Sequence, residues 1–128
     1  LIQTSGAFRY TTALSPALAA GALKSLQKIK SNKEWSVNLL SDSKKWKKEI
    51  LKHINYPVKG DSHILSIIVG QEEKTILLQK HLEKNGFLAI AIRPPTIPIN
   101  ESRIRLTIRR DLNLDILKNF TSVLKAFK

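Results

Sequence analysis

FLAIAIRPPTIPINESRIRLT, residues 87–107, is the stretch whose reading decides the fold. Residues 87–92 form an apolar run too short for a helix and bounded by Gly86 and Pro94, which predicts a buried strand. Pro94, Pro95 and Pro98 then fix φ and remove backbone donors, so a stiff loop follows rather than more sheet. From Arg103 onward apolar and polar residues alternate. Successive side chains on a strand point to opposite faces, so Ile104, Leu106 and Ile108 share one face and Arg103, Arg105, Thr107 and Arg109 the other. Two strands and a rigid loop are expected to bring Arg93 close to Arg103 and Arg105 as an anion-binding edge. A solvated basic face is the plain alternative, and the pattern alone leaves both open.

Upstream of this stretch, residues 72–85 predict a helix using Ile76, Leu78 and Leu82, ended by Asn85-Gly86 as a left-handed cap. HILSIIV, residues 63–69, is a strand closed by Gly70, and residues 55–61, with Pro57 and Gly60, are a turn. Residues 31–54 are basic and amphipathic. Trp35, Leu39, Trp46, Ile50 and Ile54 can share a face opposite Lys44, Lys45, Lys47 and Lys48, and Ser41-Asp42-Ser43 either starts a second helix or lies within one. Nearer the N-terminus, Ser15 is a suitable N-cap and Pro16 fits the first helical position of a helix carrying Leu18, Ala22, Leu26 and Ile29. At the other end Asn113 caps a last helix through Ile116, Leu117, Phe120, Val123, Leu124 and Phe127. The order helix, helix, strand, helix, strand, strand, helix predicts an α/β (α+β) domain: a small, mostly antiparallel sheet with helices on one face. His53 is expected at the surface rather than as a metal ligand, having no second ligand four residues away, His63 as structural or at a rim, and His81 on the outer side of its helix without a partner.

Composition narrows the function classes. The 128 residues suffice for one domain with a real core, and 42% hydrophobic with 25% charged residues is a globular balance. No apolar run approaches the roughly 20 residues of a bilayer span. Cysteine is absent, which removes disulfides and thiolate metal sites and fits a reducing, cytoplasmic setting. The net charge of +12 raises nucleic-acid binding, but the lysines are dispersed along helical faces with no dense basic tract. The chain starts at Leu1 and lacks methionine, so a piece of a longer protein is expected.

Two motifs carry a resemblance. AIRPPTIP (91–98) with SRIRLTI (102–108), and FRYTTALSP (8–16), resemble signatures of the pyridoxal-phosphate-dependent α-oxoamine synthases. Ser62, Ile64, Ile68, Val69 and Gly70 match a third segment more loosely, with Ser66 and Gln71 in place of the usual Pro and Asp. The Arg93-Pro94 dipeptide resembles the branch that condenses L-alanine with a pimeloyl thioester, of CoA or a carrier protein, in biotin biosynthesis. Branches acting in 5-aminolevulinate or 2-amino-3-ketobutyrate metabolism tend to have Tyr-Pro there. The resemblance implies a lead-in at 1–15 from a large domain and a C-terminal small domain at 16–128, in a homodimeric enzyme with no membrane attachment.

It further implies that Arg105 grips the amino-acid carboxylate, that Thr96 and Arg93 lie on the substrate side, and that Thr11 and Thr12 donate to the cofactor phosphate of the partner subunit. Arg103 is expected to be a supporting or surface charge. The family's Schiff-base lysine lies upstream of the Thr11-Thr12 motif, so catalysis is expected of the longer parent and not of this chain alone. The readings from other classes are a basic RNA-binding module and a folded remnant without activity.

Overall fold

The computed structural model describes residues 15–127. These divide into two compact units at the Lys33–Glu34 boundary. In the first, helix α1 (Pro16–Ser31) starts with proline at its first position, where the missing N–H costs no hydrogen bond. Ser15 makes no side-chain cap bond, although its carbonyl accepts from Ala19 N at 3.1 Å. Leu18, Leu23, Leu26 and Ile29 are all exposed.

The second unit runs α2 (Glu34–Leu51), β1 (Val58–Lys59), β2 (Ile64–Gly70), α3 (Glu72–Lys84), β3 (Ile90–Ile92), β4 (Ser102–Thr107) and α4 (Leu114–Ala126). The sheet has the order β1-β2-β4-β3 and is antiparallel throughout. Leu65 and Ile67 of β2 and Ile104 and Leu106 of β4 bury one face under Trp46 and Ile50 of α2, Leu78 and Leu82 of α3, and Leu117, Phe120 and Leu124 of α4. The expected alternation in β4 holds: Ile104, Leu106 and Ile108 are buried while Arg105 and Thr107 are exposed. The opposite face, with Ser66, Ile68, Arg103, Arg105 and Ile90, carries no helix of this unit. This is the α+β architecture that the element order predicts.

Helix ends follow their local chemistry. Asn113 Oδ1 accepts from Ile116 N at 2.9 Å and so satisfies one first-turn donor of α4. Replacing Asn113 by alanine is expected to cost about 1 kcal/mol, read as a lower urea midpoint at unchanged slope. Gly86, at φ +84, ends α3. The Gly86 N–H returns to Glu83 O (3.0 Å) and the Phe87 N–H to Leu82 O (2.9 Å), a paired closure that needs a left-handed residue between them.

Three expectations are corrected, and the alternative left open at residues 41–43 is decided. Residues 87–92 are not a buried strand: only Ile90–Ile92 pair, at the sheet edge, with Leu88 90% and Ile90 50% exposed. The outward N–H of Ala91 is taken by Gln79 Oε1 of α3 at 3.1 Å, which blunts that edge. The turn before β2 contains the extra strand β1, two residues long. Residues 41–43 lie inside one continuous helix, where Ser43 is buried and donates to Ser62 O at 2.6 Å. His81 has partners after all: its Nε2 lies 2.9 Å from Val123 O and its ring 5.5 Å from that of Phe127, so α3 caps an open carbonyl near the end of α4.

Candidate functional site

The sheet face without a helix of the second unit places Arg105 in a cross-strand row between Ser66 of β2 and Ile90 of β3, and Arg103 between Ile68 and Ile92. Short or aliphatic neighbours leave the Arg105 guanidinium without an acid beside it. Three other arginines of this region are paired with acids, and Arg110 lies over the Trp35 ring at 3.8 Å. Arg103 donates to Glu101 Oε2 at 2.7 Å and to Glu101 O at 3.0 Å. Arg109 makes a two-pronged pair with Asp111 at 3.0 and 2.7 Å, and that guanidinium holds the Asp111 carboxyl below its usual range. Arg93 donates from Nη1 to Glu72 Oε1 at 2.7 Å. Among the described residues, Arg105 has no side-chain hydrogen bond or ion pair.

The structure joins Arg103 and Arg105 on one face but does not bring Arg93 to them. Ile90 and Ile92 share the Arg105 face, so Arg93, one residue further, turns towards the head of α3, where Glu72 stands. The expected cluster of three arginines is therefore a pair plus a separate anchor. Thr96 is exposed in the turn after Arg93 and its N–H donates to Arg93 O at 3.1 Å. Thr11 and Thr12 lie outside the described residues.

Before Ile90 the chain diverges from β4 and opens a cleft of ≈ 840 Å³ that no sequence motif announced. Trp46, Phe87 and Phe120 line its inner side, with rings 5.6 Å (Trp46–Phe120) and 5.1 Å (Phe87–Phe120) apart. Arg105 and Arg109 are among its other lining residues. No cluster of His, Asp or Glu among the described residues can hold a metal ion.

This fold is that of the C-terminal domain of fold-type-I pyridoxal-phosphate enzymes. A high-resolution structure of SPT with its pyridoxal phosphate superposes with a TM-score of 0.88, at 18% identity, over 97% of this chain and 32% of that one. No family model matches the chain. Curated relatives named 8-amino-7-oxononanoate synthase do, bearing out the family resemblance. One from Bacillus subtilis (strain 168) is 35% identical over 128 aligned residues, 96% of this chain and 33% of that protein. A relative from Bacillus cereus (strain B4264), named as a putative member, is 33% identical over 112 residues, 87% of this chain and 28% of its own length. The chain thus spans about a third of the curated relatives that it matches.

Proposed function

We propose that this chain is the C-terminal domain of a pyridoxal-phosphate-dependent acyltransferase of the 8-amino-7-oxononanoate synthase type, joining L-alanine to a pimeloyl thioester with loss of CO₂. The observation that carries this is Arg105, an arginine on the sheet face without a second-unit helix, whose fork has no acid partner among the described residues while Arg93, Arg103 and Arg109 each have one. A free guanidinium presents parallel N–H donors that match a carboxylate in two-point contact, which orients the amino acid as well as holding it.

The residues present fit the cofactor. Helix α1 has no acidic residue in its first turn and no side-chain cap on its leading N–H groups, so its positive end suits a phosphate dianion, for which the family resemblance makes Thr11 and Thr12 the hydroxyl donors. When bound, pyridoxal phosphate supplies the electron sink for bond-breaking at the amino-acid α-carbon. Arg105 binds the L-alanine carboxylate and sets which α-carbon bond faces the ring. Thr96 and Arg93, on the loop after β3, hold the thioester side. Residues 16–128 form the small domain and residues 1–15 lead in from the large one, in a homodimeric, cytoplasmic parent. No helix among the described residues is long and apolar enough to cross a membrane.

The test uses the chain joined to its upstream reading frame. Cofactor absorbance is followed as L-alanine is added, and 8-amino-7-oxononanoate is assayed after pimeloyl-CoA. A saturable spectral change and product formation are expected. A parent that binds no cofactor, or that responds to L-serine or glycine and not to L-alanine, overturns the proposal.

A further inference from the structure

We propose that Glu72 is a positioning residue for the substrate loop, residues 93–101, acting through Arg93. The inference rests on the synthase reading above. The Arg93–Glu72 pair joins residues 21 apart, whereas Arg103–Glu101 and Arg109–Asp111 join residues only 2 apart. Pairs between near neighbours form wherever the chain goes. A pair across 21 residues exists only because the fold brings the end of β3 to the head of α3.

Glu72 is the first residue of α3, where the positive helix end favours a carboxylate and the helical backbone gives it a fixed base. The far end of the loop is tied to the same place. Ser102 pairs with Gly70, and a Cβ added at Gly70 would stand 3.4 Å from Asn100 O, so the chain passes in van der Waals contact with the β2–α3 junction. Both ends of the loop are thus held at 70–72, with Thr96 between them. Within the loop, Thr96 N donates to Arg93 O at 3.1 Å and Glu101 N to Pro98 O at 3.2 Å.

The pair uses a single nitrogen of Arg93, so its remaining N–H groups stay open to a second anion. Side-chain exposures of 53% for Arg93 and 44% for Glu72 mean that the pair adds little to stability. Its effect lies in where the guanidinium and Thr96 are held.

The experiment compares wild type, Glu72→Gln, Arg93→Ala and the double variant in the full-length protein, with L-alanine and pimeloyl-CoA as probes. Glu72→Gln is expected to raise KM for pimeloyl-CoA about 2- to 5-fold, with kcat and the L-alanine spectral response near wild type. In the Arg93→Ala background the same change is expected to add nothing, because its route is gone. An unchanged KM, or additive losses, overturns the proposal. A second measurement does not depend on catalysis: amide hydrogen exchange over 93–101 is expected to speed up in Glu72→Gln while α4 stays protected, and unchanged exchange overturns the proposal. If the wild-type parent ignores L-alanine, the synthase reading fails and hydrogen exchange alone decides whether Glu72 holds the loop.

Discussion

Arg105→Ala in the full-length protein is expected to lower kcat/KM for L-alanine about 100-fold or more, the equivalent of about 3 kcal/mol for a two-point charged contact. Arg105→Lys is expected to recover only a small part of this, since an ammonium keeps the charge but cannot present two parallel donors. Thermal stability should hardly change, because the Arg105 side chain is exposed and pairs with nothing among the described residues. The cofactor band is expected to persist while the L-alanine response moves to much higher concentration. An unchanged response in Arg105→Ala would return this arginine to a solvated face. Arg103→Ala is the matched control: it lies on the same strand face but is bound to Glu101, and its effect on L-alanine should be several-fold at most.

Phe120→Ala is expected to destabilise the second unit by about 3–5 kcal/mol. Phe120 is 2% exposed and packs between Trp46 and Phe87, meeting Phe87 edge to face at 77°. It joins three elements at one point: α2, α4 and the segment that leads to β3. Domains of this size are stable by about 5–15 kcal/mol, so the loss approaches the whole margin. Phe120→Leu, which keeps most of the volume but loses the ring contacts, is expected to cost about 1.5 kcal/mol. Urea unfolding followed by Trp fluorescence reads both variants. A midpoint within error of wild type for Phe120→Ala would show that the aromatic cluster is not part of the cooperative core.

What the sequence made legible was local. The strict alternation at 103–108 announced both faces of β4, and Asn113 and Asn85-Gly86 announced helix ends, because each signal is complete within a few residues. The uniform apolar run 87–92 was misleading, since without alternation nothing marks which side chains face out. Whether such a run is central or at an edge depends on a neighbour far along the chain. Val58-Lys59 was too short to register as a strand at all. The same limit applies at the site. Arg105 stood out by its motif, but that Arg93 turns away to Glu72, or that His81 reaches Val123 O, depends on partners 21 and 42 residues distant. The cleft beside Phe120 could not be foreseen either, because it is the space left where two segments part.

The sheet face without a helix of the second unit has a consequence for how this chain behaves alone in water. Ile64, Ile68, Ile90 and Ile92 place aliphatic surface beside Arg103 and Arg105, and a net charge of +12 keeps copies of the chain apart. That mutual repulsion is long-ranged only in dilute buffer, since at about 0.15 M salt it fades within roughly 8 Å. The isolated chain should therefore stay dispersed at low ionic strength and cluster as salt rises. Light scattering across a salt series would register the change. For this domain, salt is expected to take on the colloidal role usually assigned to pH.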